Sequence, residues 1–235
     1  MAEYVVVIPT YNEAETIRKA VSETLAIDER LDILVVDDNS PDGTGQIADE
    51  LAAANERIKV LHRETKEGLG PAYIAGYRWA IDNNYEFLIG MDADGSHRPA
   101  DLPKLLRASR DADLVIGSRY IPGAEILNWP FHRLLLSRFG NWYARTLLGS
   151  KIRDITAGFR VYRVSVLKRL DLGSIQARGY AFQINLTQMI AKSDGTIVEV
   201  PITFIERTLA KSKMTKRIVF EAFWLVLKWA VTGKN

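Results

Sequence analysis

Two carboxylates one residue apart, Asp92 and Asp94, close the apolar run Phe87-Leu88-Ile89-Gly90-Met91 and are followed by Gly95 and Ser96. If the extended chain continues through them, alternation puts both side chains on one face, about 6–7 Å apart. Gly95 permits a turn that carries the Ser96 hydroxyl back toward them. Carboxylates so close repel one another unless a cation sits beside them. Hard oxygen donors of this kind suit Mg²⁺ or Mn²⁺, which take few protein carboxylates and complete their shells with water and phosphate oxygens. Asp92, Asp94 and Ser96 are therefore the candidate ligands of a divalent metal that holds a diphosphate. The competing reading is plain turn chemistry, since Asp followed by Gly and Ser also caps turns after strands. His62, His97 and His132 are scattered and form no metal-binding cluster, and a turn-capping role suits His97 best.

The elements that must position these carboxylates repeat a regular pattern. Residues 4–8 and 33–36 are β-branched or apolar runs without alternation, as in strands buried on both faces of a parallel sheet, and 58–61, 87–91 and 114–117 read as further strands. Between them lie helical periodicities: one opening with Glu13 and Glu15 in its first turn, one from Thr44, one over 68–80 whose Gly76 points to close packing, and one over 99–107. Strand and helix in alternation predict an α/β fold, an open and mostly parallel sheet flanked by helices. Ligands of such sheets bind beyond the carboxyl ends of the strands, where Pro9-Thr10-Tyr11, Asp37-Asp38 and Asp92-Ala93-Asp94 all fall.

After Ser118 the pattern and the charge change together. Residues 1–118 carry 12 Lys/Arg against 22 Asp/Glu, whereas the remainder carries 19 against 7. An acidic front and a basic rear point to two tasks, the rear facing something anionic: a phosphate ligand, an acidic membrane surface or nucleic acid. Residues 129–148 read as a cationic, aromatic-rich amphipathic helix and 218–231 as a hydrophobic helix broken by Glu221 and Lys228. The second is shorter than the roughly 20 apolar residues needed to span a bilayer, so both are candidates for core packing, monotopic membrane contact or a partner. Strands over 159–162 and 197–200 and a helix over 182–191 complete the pattern. The chain has no cysteine, which removes thiolate chemistry and disulfides and fits a reducing cytosol. The N-terminal residues enter a strand directly, which predicts no secretory signal and a cytoplasmic location.

The segments Val7-Ile8-Pro9-Thr10-Tyr11-Asn12-Glu13, Val36-Asp37-Asp38-Asn39-Ser40-Pro41-Asp42-Gly43-Thr44 and Met91-Asp92-Ala93-Asp94-Gly95-Ser96-His97 together resemble glycosyltransferase family 2, with its GT-A fold. Gly117-Ser118-Arg119-Tyr120, Asn128-Trp129-Pro130, Ser137-Arg138, the stretch Asp154 to Arg160, Gly179-Tyr180-Ala181-Phe182-Gln183 and Ser212-Lys213-Met214 resemble, more closely, the polyprenol (dolichol) phosphate mannose synthases. The resemblance is to bacterial, actinobacterial-type catalytic domains without a transmembrane tail, and it runs in order over nearly the whole chain.

The resemblance implies transfer of mannose from GDP-mannose to a polyprenyl monophosphate with inversion, on the cytoplasmic face of a membrane. It implies as partners a membrane-anchoring protein and no nucleic acid. It implies that Pro9, Tyr11, Glu13, Val36 and Asp38 hold the guanosine, that Asp92, Ala93 and Asp94 meet ribose, diphosphate and metal, and that Ser96 stands on the metal side. Arg119, Arg207 and Lys213 grip phosphates, Arg133 and Ser137 stand near the acceptor phosphate, and Asp92, Asp94 and Arg119 carry the chemistry. A catalytic domain over 1–210 and an amphipathic segment over 211–235 follow. The chain departs from the pattern at Gly90, Asn185 and Ala210. The alternatives are a UDP-glucose-dependent transferase to the same lipid and a non-catalytic nucleotide-sugar-binding member.

Overall fold

The computed structural model describes residues 3–175, 177, 179, 181–206 and 216–233. Arg207, Ala210, Ser212, Lys213, Met214 and Tyr180 lie outside the described residues. The front half runs β1 (Tyr4–Thr10), α1 (Ile17–Leu25), β2 (Leu31–Asp37), α2 (Thr44–Ala54), β3 (Ile58–His62), α3 (Leu69–Asp82), β4 (Phe87–Gly90), α4 (Leu102–Ser109) and β5 (Leu114–Ser118). The rear half runs β6 (Glu125–Leu127), α5 (Phe131–Leu147), β7 (Arg160–Arg163), α6 (Val164–Leu167), α7 (Ala181–Lys192), β8 (Ile197–Pro201), β9 (Thr203–Ile205) and α8 (Lys216–Thr232).

Seven strands form one sheet in the order β3-β2-β1-β4-β7-β5-β8. All neighbours are parallel except β7, which is antiparallel to both β4 and β5. Strands β6 and β9 pair separately and in parallel. The absence of alternation in the strand sequences has its cause here. Val5, Val7, Leu34, Val36, Leu88 and Ile116 pack on one side with Tyr73, Tyr77 and Phe182. Tyr4, Val6, Ile8, Ile33, Val35 and Ile89 pack on the other with Ile17, Leu102 and Leu105. Helix α3 lies so close to the sheet that a Cβ on Gly76 would stand 2.4 Å from Val7 Cγ1. Gly90 is similarly confined, since its Cβ would meet the Tyr73 ring at 3.2 Å, so that strand position has little room for a larger residue.

Two local expectations are corrected. Glu13 and Glu15 do not lie in the first turn of α1, which starts at Ile17. Asn12 takes a left-handed φ of 56°, and Glu13 is instead buried in the preceding turn. Its N–H donates to Thr44 Oγ1 (2.9 Å) and its carboxylate accepts from Thr16 Oγ1 (2.9 Å). Strand β4 ends at Gly90, so Asp92 and Asp94 sit on a loop and the alternation argument does not govern them.

Candidate active site

The residues expected to hold a nucleoside gather at the carboxyl ends of β1 and β2. Asp37 is used up locally: Thr10 Oγ1 donates to it at 3.0 Å, and the Ser40 hydroxyl and N–H donate at 2.6 and 3.1 Å. Asp38 is buried and paired with Arg63 at 2.6 Å, and Arg63 reaches on to Glu67. Burial pushes the Asp38 carboxyl above the usual carboxylate range, with Arg63 opposing it. Lys66 Nζ lies 3.6 Å from the centre of the Tyr11 ring, and Pro9 is half-buried beside it in sequence. Val36 has no exposed surface, and its side chain packs under α3 near Gly76, so only its backbone could meet a ligand. Arg63 was not anticipated, since an arginine in a charged loop carries no signal of its own.

The Asp92–His97 loop leaves β4 beside the end of β1. The N–H of Asp92 donates to His97 Nδ1 at 3.0 Å, which assigns the proton of the neutral ring to Nε2. His97 is buried, stacked on Phe159 at 5.1 Å, and so caps this turn. Gly95 turns with φ 77°, and Ser96 donates to Asp94 Oδ1 from both its N–H (3.0 Å) and its hydroxyl (2.5 Å). Ala93 is buried. Tyr73 donates to Asp92 Oδ1 at 3.3 Å, its own hydroxyl held far from ionisation by burial first and by the Asp92 charge second. A Cβ on Gly158 would stand 3.8 Å from Asp92 Oδ2, so the glycine leaves space beside that carboxylate.

Among the described residues no group of three or more acidic, His or Cys side chains could cage a metal. Two carboxylates and a hydroxyl on one short turn instead match an open site for a hard cation, whose remaining ligands come from water and phosphate.

Arg119, at the end of β5, is nine-tenths enclosed and meets the fully buried Asp154 through two parallel bonds of 2.7 Å from Nε and Nη2. Thr156 Oγ1 accepts a third bond at 3.1 Å, and the guanidinium lies 5.5 Å from the Trp129 ring centre and 5.3 Å from that of Phe204. The turn that supplies Asp154 and Thr156 is fixed by Arg160, which has no exposed surface. Its guanidinium donates to four uncharged oxygens: Ile155 O, Ala157 O, Gln183 O and Thr187 Oγ1. On α5, Arg133 pairs with Glu206 and lies over Trp129 at 4.9 Å, while the Ser137 hydroxyl accepts from Tyr120 at 2.7 Å. Burial pushes the Tyr120 hydroxyl upward, so it remains a donor.

One cleft of about 150 Å³ joins these groups. Asp92, Ser96 and His97, the polar groups Arg119, Arg133 and Ser137, and the apolar Leu136, Tyr143, Ile184, Phe223 and Val226 of α5, α7 and α8 all line it. Two of its lining groups were not anticipated. The Gln183 Nε2 and Trp129 Nε1 atoms are buried without a hydrogen-bond partner. Gln183 Oε1 is held by the Tyr162 hydroxyl at 2.8 Å, which leaves its amide nitrogen as the unmatched end. Such buried orphan donors become visible only once the fold closes over them. Asn185, on the same helix, is also buried, with Oδ1 unmatched.

A parallel sheet with carboxylates at its strand ends, facing a basic cleft, defines a nucleotide-sugar transferase of GT-A type. The sequence pattern of glycosyl transferase family 2 matches residues 5–171, and the chain belongs to that family. It is 50% identical over 228 residues to an undecaprenyl-phosphate mannosyltransferase of Micrococcus luteus, covering 97% of this chain and 94% of the other. It is also 50% identical over 231 residues to a polyprenol monophosphomannose synthase of Mycolicibacterium smegmatis, covering 97% and 87%. The fold is shared with glucosyl-3-phosphoglycerate synthase from Mycobacterium tuberculosis, at a TM-score of 0.71 and 18% identity over 100% of this chain and 81% of that one. That enzyme has also been crystallised with Mn²⁺ and UDP-glucose.

Proposed function

We propose that this glycosyltransferase moves mannose from GDP-mannose to a polyprenyl monophosphate, inverting the anomeric centre and releasing GDP, while resting on a membrane surface. The observation that supports the reading is one cleft lined together by the Asp92 turn, three side chains suited to a phosphate and a group of apolar side chains. A lipid phosphate needs that combination: a charged head next to the donor and a greasy tail leading away.

Asp92 and Asp94, with Ser96, would hold Mg²⁺ or Mn²⁺, which when bound supplies charge stabilisation to the leaving diphosphate. The acceptor arrives as an ionised phosphate and needs no strong general base, in keeping with His97 being committed to the turn. What it does need is help in approaching a second anion. Arg119, its plane set by Asp154, and Arg133 would orient the acceptor phosphate and reduce the repulsion. Ser137 would complete the grip. Tyr11, Glu13 and Asp38 would border the nucleoside at the other end, with Arg207 and Lys213 proposed on sequence grounds to close on phosphate. Attachment would be through surface contact or a partner protein; among the described residues no helix is long and apolar enough to cross a membrane.

The deciding experiment supplies the purified protein with Mg²⁺ or Mn²⁺, a short polyprenyl phosphate and either radiolabelled GDP-mannose or UDP-glucose. Label should enter the organic phase from GDP-mannose. Label from UDP-glucose alone would sink the mannose assignment, and nucleotide binding without transfer from either donor would favour a non-catalytic role.

A further inference from the structure

A second concavity, of about 560 Å³, opens beside α5. Its helical lining residues are Arg138, Asn141, Trp142 and Arg145, whereas Arg133, Ser137, Gly140 and Ala144 line the cleft, so the two cavities use different faces of one helix. Arg119, Tyr120, Ile121, Ala124 and Arg153 complete its wall, and Arg119 is shared with the cleft. Besides Arg119, which Asp154 neutralises, three guanidinium groups, those of Arg138, Arg145 and Arg153, thus border one hollow. None is in an ion pair among the described residues, and Arg138 has only the Tyr120 ring beneath it at 5.9 Å. The nearby carboxylates are engaged elsewhere. Asp154 is taken by Arg119, and Glu199 accepts from Ser118 Oγ and from the N–H groups of Arg153 and Asp154. Three like charges around one hollow repel each other, and an anion placed between them removes that repulsion.

The surroundings of the hollow say which anion. Trp142, one of its walls, is 54% exposed and touches Phe139, itself 48% exposed. These belong to an outward apolar stripe on α5 that includes Phe131 and Leu135, and Phe139 meets α8 through Phe223 at 5.8 Å. Helix α8 carries its own outward stripe of Phe220, Trp224, Leu227 and Val231. A cationic hollow bordered by exposed aromatic and aliphatic side chains is complementary to the boundary of a bilayer, where phosphates lie beside acyl chains.

We propose that Arg138, Arg145 and Arg153 form a receptor for the phosphate of an anionic phospholipid headgroup, next to the acceptor cleft and meeting it at Arg119, while the adjoining apolar stripes enter the acyl layer. The site rests on the membrane-surface part of the proposed function and gives it a chemical specificity. It sets the rotation of the enzyme on the membrane, so that the cleft on the neighbouring face of α5 meets the acceptor.

The test measures partition onto sedimenting vesicles of phosphatidylcholine alone or mixed with phosphatidylglycerol. Wild type is compared with the triple variant Arg138→Gln/Arg145→Gln/Arg153→Gln and with a control of equal charge change, Lys19→Gln/Arg107→Gln/Lys168→Gln, at exposed positions elsewhere. The first triple variant should lose about tenfold to a hundredfold in partition onto the anionic vesicles and nothing on the neutral ones. The control should lose less than about threefold. Equal losses in both variants would reduce the site to diffuse charge and overturn it, as would no loss in the first. Calorimetric binding of inorganic phosphate without lipid, abolished by the first triple variant, would assign the hollow to a free anion instead. Glycosyl transfer in detergent to a short-chain acceptor is followed in parallel and should be unchanged in the first triple variant. Absence of transfer by the wild type there strikes the proposed reaction and leaves the vesicle comparison standing.

Discussion

Arg119 is the cation of the cleft whose position is most tightly determined. Asp154 has no exposed surface and spends both oxygens on it, and two further arginines shape the surroundings: Arg160 from below, Arg133 from across the cleft. Replacing Asp154 by Asn keeps the shape and removes the charge. Breaking a buried pair from one side costs about 3–5 kcal/mol of stability, and kcat/KM should fall with it because the guanidinium loses its fixed plane. Denaturant unfolding and steady-state kinetics measure the two effects. Lost stability with full kcat/KM would remove Arg119 from the reaction. Arg133 is held differently. Glu206 pairs with it, and the second oxygen of that carboxylate is buried without a partner, a costly arrangement that an incoming phosphate could relieve by displacing Glu206. Glu206→Gln weakens the competitor for Arg133, so the KM for polyprenyl phosphate should drop about tenfold for each 1.4 kcal/mol of competition removed, with the KM for the donor unchanged. An unchanged acceptor KM would mean that Arg133 does not meet the phosphate. On the Asp92 turn, Asp94→Ala takes away both a carboxylate and the anchor of the Ser96 hydroxyl. Turnover dependent on Mg²⁺ or Mn²⁺ should disappear in that variant, and activity equal to wild type would eliminate the metal site.

At the scale of elements, the strands were legible because burial on both faces leaves a run of β-branched residues that only a central strand tolerates. The order of the sheet was not legible in the same way. Strand β7, with an arginine at each end, runs antiparallel between β4 and β5, and direction leaves no trace in a four-residue composition. The short pair β6 and β9 was missed because three residues of mixed exposure carry no periodicity. The start of α1 was misplaced because Glu13 and Glu15 mimic a first turn, whereas the left-handed Asn12 and the Thr44 hydroxyl commit Glu13 to a loop. Asp92 and Asp94 likewise fall outside the strand, where the Asp92 N–H donates to the His97 ring five residues on instead of to a neighbouring strand. The loop between α1 and β2 offers a test of how such element junctions are fastened. Arg30 donates to Asp28 at 2.7 Å and to Glu3 at 3.0 Å, tying the starts of β2 and β1 together. The hydrogen bonds from Arg30 hold the Asp28 carboxyl down at about 2. A depressed carboxylate stabilises the fold at pH values above its unfolded pKa near 4 and loses that contribution as pH falls toward 2. Asp28→Asn should therefore cost a fraction of a kilocalorie at neutral pH, since the pair is partly exposed, and steadily less as pH falls from about 4 through about 2. Thermal melting of both proteins across that range reads the convergence, and parallel curves would exclude the linkage.

For the whole molecule, the asymmetry of charge and the asymmetry of surface point the same way. The basic rear half carries α5 and α8, which pack together through Tyr143 and Phe223 at 4.7 Å and through the bond from Tyr143 Oη to Phe223 O. Val226 and Trp229 on α8 are buried, so this helix is docked on the body and its opposite face is left outward. The cleft's apolar lining comes in part from the same two helices, which makes the route of a lipid chain continuous with the exposed stripes. Exposed aromatic patches of this extent on a charged protein mark an interaction surface. If that surface is the membrane contact, its removal should affect access to the acceptor and leave the chemistry intact. Phe139→Ser combined with Trp224→Ser replaces one large side chain on each stripe, at positions 48% and 61% exposed, so the fold should be retained. Transfer to a long-chain polyprenyl phosphate embedded in vesicles should fall at least tenfold, since each buried aromatic contributes on the order of 1.5–3 kcal/mol to insertion. Transfer to a short-chain acceptor in detergent should stay within about twofold, because neither residue lines the polar part of the cleft. Equal losses in both assays would place these side chains in the acceptor's path, and equal retention would assign the surface to a protein partner.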